Sequence, residues 1–209
     1  MNKLRIQRGL DYRAGRAALA LSYRLRGRSG FFVHPRPEWR ADPTTSSLDL
    51  GCGDSLANPF AAGHTYGVDI VPVDDDRVKV ADLTCDRIPF DDNSFQYVTA
   101  IDFLEHIPRL MYLDGQRRQP FIEIMNEIHR VLVPNGVFYA HTPAFPRREA
   151  YDDPTHVNVI GWGTSAYFTN PLYTDLAHSY GIRGRFGAIS QYWDRQTLCH
   201  LNWMFAAIK

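Results

Sequence analysis

Hydrophobic and polar positions divide the chain into two regimes. From Ser47 onward, short apolar runs alternate with helical or turn-rich stretches. Leu48–Leu50, Tyr66–Ile70, Val78–Leu83, Phe95–Ile101 and Val137–His141 read as strands, the fourth preceded by the turn-rich Asp91-Asp92-Asn93-Ser94. Pro120–Leu132 places Phe121, Ile124, Ile128 and Leu132 on one helical face and ends at Pro134-Asn135-Gly136. Such alternation predicts an α/β fold with a mostly parallel sheet and helices on both faces. The tail breaks the pattern. Phe186–Tyr192 and Leu198–Ile208 are separated by Trp193–Thr197 alone, too little for a crossover helix, so they are predicted to pair antiparallel.

Before Ser47 the pattern differs. Residues 3–27 read as a helix with Leu4, Leu10, Ala14, Ala17, Ala18, Leu21 and Leu25 along a stripe and arginines around it. Ser29–Ser47, with Pro35, Pro37 and Pro43, reads as a connecting loop. The expected organisation is a basic cap over residues 1–46 and a single domain over 47–209, with 144–171 as an insertion on the acceptor side.

Composition and charge narrow the function classes. The 209 residues suit one domain, and 44% hydrophobic with 22% charged residues is a globular composition. The formal net charge of +0 argues against nucleic acid as a partner. It hides an asymmetry, because residues 1–40 carry Lys3, Arg5, Arg8, Arg13, Arg16, Arg24, Arg26, Arg28, Arg36 and Arg40 against Asp11 and Glu38. That basic helix could touch an anionic surface, a membrane included, or form a solvated face. Cys52, Cys85 and Cys199 are scattered, which argues against a disulfide framework or structural zinc and for a cytoplasmic setting. No apolar run approaches the roughly 20 residues of a transmembrane helix.

The sharpest chemical feature is Asp49-Leu50-Gly51-Cys52-Gly53-Asp54, directly after an apolar strand. A glycine turn at a strand's carboxyl end lets a ligand approach backbone with no Cβ in the way. A following helix would add N–H donors for a ligand carboxylate. Asp69 with Ile70 closes the second strand, where a carboxylate can accept both hydroxyls of a ribose. Asp82 with Leu83 closes the third, suited to an adenine edge. Asp102 and Phe103 follow the fourth.

Five blocks in this order resemble the class I S-adenosylmethionine-dependent methyltransferases, in particular the group called methyltransferase type 11. They are Asp49-Leu50-Gly51-Cys52-Gly53, Gly67-Val68-Asp69-Ile70, Ile88 to Phe95, Phe103-Leu104-Glu105-His106-Ile107 and Glu127 to Gly136. The resemblance implies a Rossmann-like seven-stranded sheet with one antiparallel strand. It implies S-adenosylmethionine as cofactor, S-adenosylhomocysteine as product, and direct displacement onto a small-molecule or glycan-like acceptor. Gly51 and Gly53 would flank the methionine part, Asp69 would hold the ribose diol, Asp82 with the Leu83 backbone would face the adenine, and Asp102 and Phe103 would line the sulfonium side, with Asp49, Cys52 and Ile70 among the cofactor-binding residues. Ser55, Gln96 and Asn135 depart from the group's usual residues.

Among 8 histidines, His156 in Asp153-Pro154-Thr155-His156-Val157-Asn158 is the first candidate for a catalytic base, and His106 the second. For both, a structural or substrate-lining role competes. No metal site is expected, because Asp152, Asp153, His156 and His141 lack tight ligand spacing. Trp162, Tyr167, Phe168 and Tyr173 suit an acceptor wall and a packed lid equally. A nicotinamide-dependent oxidoreductase would want a glycine where Leu56 stands. A non-catalytic methyltransferase-like subunit that binds a partner is the rival from another class.

Overall fold

The structure is a computed structural model that describes residues 42–209. The basic helix expected over residues 3–27 lies outside the described residues. The described chain contains strands β1 (Asp42–Leu50), β2 (Ala62–Asp69), β3 (Val78–Val80), β4 (Phe95–Ile101), β5 (Met111–Leu113), β6 (Gln116–Arg118), β7 (Leu132–Pro143), β8 (Arg185–Trp193) and β9 (His200–Ile208). Its α-helices are α1 (Pro120–Val131), α2 (Glu149–Asp152), α3 (Ala166–Thr169) and α4 (Thr174–Ser179), with short 3-10 turns at Leu104–His106, Trp162–Ser165 and Pro171–Tyr173.

Seven strands form one sheet in the order β3-β2-β1-β4-β7-β9-β8, and β5 and β6 form a separate hairpin. β3, β2, β1, β4 and β7 run parallel, and β9 runs antiparallel to both its neighbours. The expected seven-stranded, mostly parallel sheet with one antiparallel strand is the fold observed. On the face toward the main core the central strands are apolar at alternate positions: Leu48, Leu50, Val98, Ala100, Phe138 and Ala140 stand side by side and are all fully buried.

One face is covered by α1. Its Phe121, Ile124, Met125, Ile128 and Val131 are buried at helical spacing, Pro120 opens it, and His129 and Arg130 close its last turn. Each such side chain contributes about 1.5–3 kcal/mol by burial. Against the opposite face Phe60 stacks on Tyr97 at a centroid distance of 4.3 Å and meets Tyr139 edge-on.

Three details depart from the expectation. β1 begins at Asp42, inside the stretch read as connecting loop, and its register with β2 shifts between Asp42 and Ser46. β7 begins at Leu132, because Asn135 at φ 62° absorbs the Pro134-Asn135-Gly136 break as an irregularity within the strand. Residues 51–61, 70–77 and 81–94 cross between strands through turns rather than helices. The helix N-terminus expected after the glycine turn is therefore absent; Pro59 and the shortness of the segment leave no room for one.

A candidate cofactor and acceptor crevice

Parallel strands share one carboxyl edge, so Gly51, Asp69, Asp82 and Asp102 emerge together from the ends of β1, β2, β3 and β4. Antiparallel β9 brings its first residue, His200, to the same edge, opposite Pro143 at the end of β7.

Backbone and carboxylates interlock there. Gly51 and Gly53 adopt φ of 68° and 54°, conformations that side chains other than glycine rarely take. The Gly51 amide donates to the Val68 carbonyl at 2.8 Å, and the Gly53 amide donates to Asp69 Oδ2 at 2.8 Å. Asp69 Oδ1 accepts from the Val71 amide at 2.8 Å. A carboxylate offers about four lone-pair sites, so two backbone bonds leave Asp69 capacity for a diol. A Cβ on Gly51 would sit 2.6 Å from Phe103 Cδ2, whereas one on Gly53 would meet nothing within 4 Å. Gly51 is thus a packing requirement and Gly53 an opening.

Asp49 is buried beneath the turn. Its Oδ1 accepts from Thr99 Oγ1 at 2.6 Å and its Oδ2 from the Ala57 amide at 2.8 Å. Burial pushes its carboxyl up to about 6 despite these bonds. The Cys52 side chain packs under Gly67, where a Cβ would lie 2.5 Å from its Sγ, and burial pushes the thiol up to about 11. Leu56 packs over the same glycine. Asp82 Oδ1 accepts from the Thr84 amide and hydroxyl, Leu83 is buried, and Ile70 is exposed. The Ala81 amide donates to the Asp69 carbonyl at 3.0 Å, tying the ends of β2 and β3 together.

Beyond β4 lies a histidine cluster that the sequence reading covered only in part. Asp102, at φ 48°, has its Oδ1 3.1 Å from His200 Nε2 and 3.6 Å from His141 Nδ1. His141 Nε2 faces Asp194 Oδ2 at 3.4 Å, and the His141 and His200 rings stack at 4.2 Å. Burial opposes ionisation of Asp102, yet hydrogen bonds and positive charge from the two imidazoles hold its carboxyl well below the ordinary range. The hydrogen bond to Asp102 raises His200 against its own desolvation. His200 and Asp194 were missed. The signal was the antiparallel tail, since a last strand running backwards must start at the crevice edge.

His106 and His156 come together from distant positions. The Val157 and Asn158 amides both donate to the Glu105 carbonyl at 2.9 Å, and Asn158 Nδ2 donates to the Leu104 carbonyl. The Asp153–Asn158 segment is thereby stitched onto the Leu104–His106 turn. The two imidazoles meet edge to face at 5.0 Å. In the aromatic run, Phe168 is buried against Phe121 and Trp162 packs against the main core, while Tyr167 stacks on Tyr173 with both rings exposed. Asp152 forms an exposed ion pair with Arg148.

Glu127 and Arg130, in the last of the five sequence blocks, act as a clamp. Arg130 donates to the Ile88 and Phe90 carbonyls and pairs with Asp92 and Glu127, while Glu127 Oε2 accepts from the Ile88 amide. Two blocks read as separate are one contact in space.

Residues 48–140 match the model of a family described as "Methyltransferase domain". Demethylmenaquinone methyltransferase of Listeria welshimeri is 28% identical over 149 residues, covering 62% of this chain and 54% of that protein. Sterol 4-C-methyltransferase strm-1 of Caenorhabditis elegans is 32% identical over 112 residues, covering 45% and 30% respectively. The chain thus spans about half or less of the length of these relatives. Among solved structures, the complex between the Haloferax volcanii Trm112 methyltransferase activator and a methyltransferase contains a chain that aligns with a TM-score of 0.54 at 16% identity, covering 82% of this chain and 86% of that one.

Proposed function

From the premise that residues 48–140 are a methyltransferase domain on a class I sheet, we propose that the protein transfers a methyl group from S-adenosylmethionine to a small-molecule or glycan-like acceptor. The observation that carries this reading is the Gly53 amide bonded to Asp69 across two strand ends, with open space above Gly53. The residues fit such a cofactor: a glycine turn without Cβ obstruction, a carboxylate with lone pairs to spare, and Asp82 at the neighbouring strand end. When bound, the cofactor supplies an electrophilic methyl on a cationic sulfonium.

The chain's own residues do the rest. Asp69 holds the ribose diol, and Asp82 with the Leu83 backbone faces the adenine. The turn from Asp49 to Gly53 and the exposed Ile70 line the adjoining surface. Asp102, kept ionised by its two histidine neighbours, lends negative charge to the edge where a cation must sit. Phe103, braced by Gly51, excludes water on that side. Alignment of acceptor and methyl donor in a closed crevice is worth up to about 7–11 kcal/mol. His156 and His106 face the acceptor and assist loss of its proton. Relatives named for demethylmenaquinone and a sterol support the small-molecule class. Among the described residues no helix is long and apolar enough to cross a membrane.

Titration calorimetry with S-adenosylmethionine and with NADH tests the reading. Binding of the former alone is the expected result. No binding of S-adenosylmethionine at millimolar concentration would favour a non-catalytic subunit instead.

A further inference from the structure

We propose that Glu105, His106 and His156 form a binding site for a divalent transition-metal cation of the zinc, manganese or cobalt class. One ligand atom from each lies within 4.8 Å of the others. Two imidazoles with one carboxylate is a donor set suited to such ions, with positions left open for oxygen ligands.

Two of the three side chains in this cluster carry buried, unpartnered atoms, against His141 Nδ1 alone in the cluster of Asp102, His141 and His200. Glu105 is 1% exposed, and its Oε1 has no hydrogen-bond partner. The Nδ1 of His156 is likewise buried and unpartnered. An ionised carboxylate oxygen left unmatched in a protein interior is costly unless a proton or a cation meets it. Two unpartnered acceptors on neighbouring side chains suit one shared cation.

On Glu105 and His106 the atom left over is already held, as the supports of metal ligands are. Glu105 Oε2 accepts from Thr142 Oγ1 at 2.8 Å. His106 Nδ1 lies 3.2 Å from the Thr155 carbonyl, so it carries the proton and leaves Nε2 with the lone pair. Thr155 is fixed by Asp153 through its amide and hydroxyl.

A second cluster, Asp102 with His141 and His200, also meets the distance criterion. Its geometry is inferior. Those two rings are stacked with an interplanar angle of 5°, so their lone pairs lie in separate parallel planes and do not meet at one point. The His106 and His156 planes cross at 74°, which lets the lone pairs converge.

This inference rests on the reading of the crevice as the acceptor side and deepens it. A cation there would bind an acceptor through paired oxygens, such as a vicinal diol, and lower the pKa of the coordinated hydroxyl. That hydroxyl releases its proton to solvent, its oxygen forms the bond to the methyl carbon, and the carbon–sulfur bond breaks with its electron pair returning to sulfur. His156 and His106 then assist deprotonation as ligands rather than as proton acceptors.

The test is titration of the full chain, free of any affinity tag, with cobalt(II), read by calorimetry and by visible d–d absorption. The expected result is stoichiometric binding that His156→Gln weakens by about 100-fold or more, while His200→Gln leaves it unchanged. Glu105→Gln, checked for folding by circular dichroism, should do the same as His156→Gln. No cobalt or zinc binding at millimolar concentration, or binding lost in His200→Gln but kept in His156→Gln, would overturn the proposal. Calorimetry with S-adenosylmethionine on the same variants separates the two readings. Cofactor binding without metal binding overturns this inference alone, and metal binding without cofactor binding overturns the methyltransferase reading.

Discussion

Gly51→Ala isolates the packing of the turn from Asp49 to Gly53. Two costs follow from the geometry. At φ 68° an alanine occupies the left-handed region, costing about 1–2 kcal/mol. The new Cβ would also lie 2.6 Å from Phe103 Cδ2, about 1 Å inside a normal carbon–carbon contact. Phe103 packs against the main core, so its ring must leave its rotamer at about 0.5–1.5 kcal/mol. The sum is about 1.5–3.5 kcal/mol, or a fall in melting temperature of roughly 3–14 °C for a chain of this size. Gly53→Ala is the internal control: its φ of 54° carries the same backbone cost, but its Cβ meets nothing within 4 Å. Thermal melts of both variants, with Phe103→Ala as the second arm of a double-mutant cycle, measure the contact alone. Gly51→Ala should exceed Gly53→Ala by about 1 kcal/mol, and Phe103→Ala should erase the excess. Equal effects of the two glycine variants would refute the claim that Gly51 braces Phe103.

Three further outcomes are expected. Asp49, raised to about 6 against 3.8 unfolded, is protonated more readily in the folded chain, so it favours folding at low pH and loses that contribution as pH rises from about 4 to about 6; Asp49→Asn should flatten that slope, on the order of 2–3 kcal/mol, in urea denaturation across that range. Arg130→Ala should lower stability by about 2–3 kcal/mol, because it removes the half-buried ion pair with Glu127 and a charged donor to each of two loop carbonyls, and a cost below 0.5 kcal/mol in the same assay would contradict the clamp. His200 gains protonation from Asp102, so its contribution to stability is present below pH 6.5 and lost as pH rises through its raised folded value; nuclear magnetic resonance titration of His200 should move toward the ordinary value in Asp102→Asn.

The sheet and its active edge were legible because two independent signals coincide at each strand end: an apolar run stops, and a glycine or carboxylate follows. Gly51, Asp69, Asp82 and Asp102 are each such a junction, and parallel strands place all of them on one edge. The turns that replace crossover helices were less legible, since Pro59 and a short segment signal no helix but do not say which side chain covers the sheet; Phe60 does so through contacts to Tyr97 and Tyr139. The pairing of Glu127 and Arg130 with the Ile88–Asp92 loop was hidden for another reason. Spacing of about 40 residues carries no local period, and an ion pair formed across it leaves no trace in a single sequence. The junction of His106 with His156 depends on backbone bonds from Val157 and Asn158 to Glu105, which no side-chain pattern announces.

The central claim is that one adenosine-bearing ligand occupies the edge formed by Gly51, Asp69 and Asp82. A crystal structure of the chain soaked with S-adenosylhomocysteine, paired with calorimetry on Asp69→Ala, tests it most directly. The ribose hydroxyls should lie within hydrogen-bond reach of Asp69, and the substitution should weaken binding by about 1–3 kcal/mol. Ligand density at any other surface, or affinity indifferent to Asp69, would contradict the account.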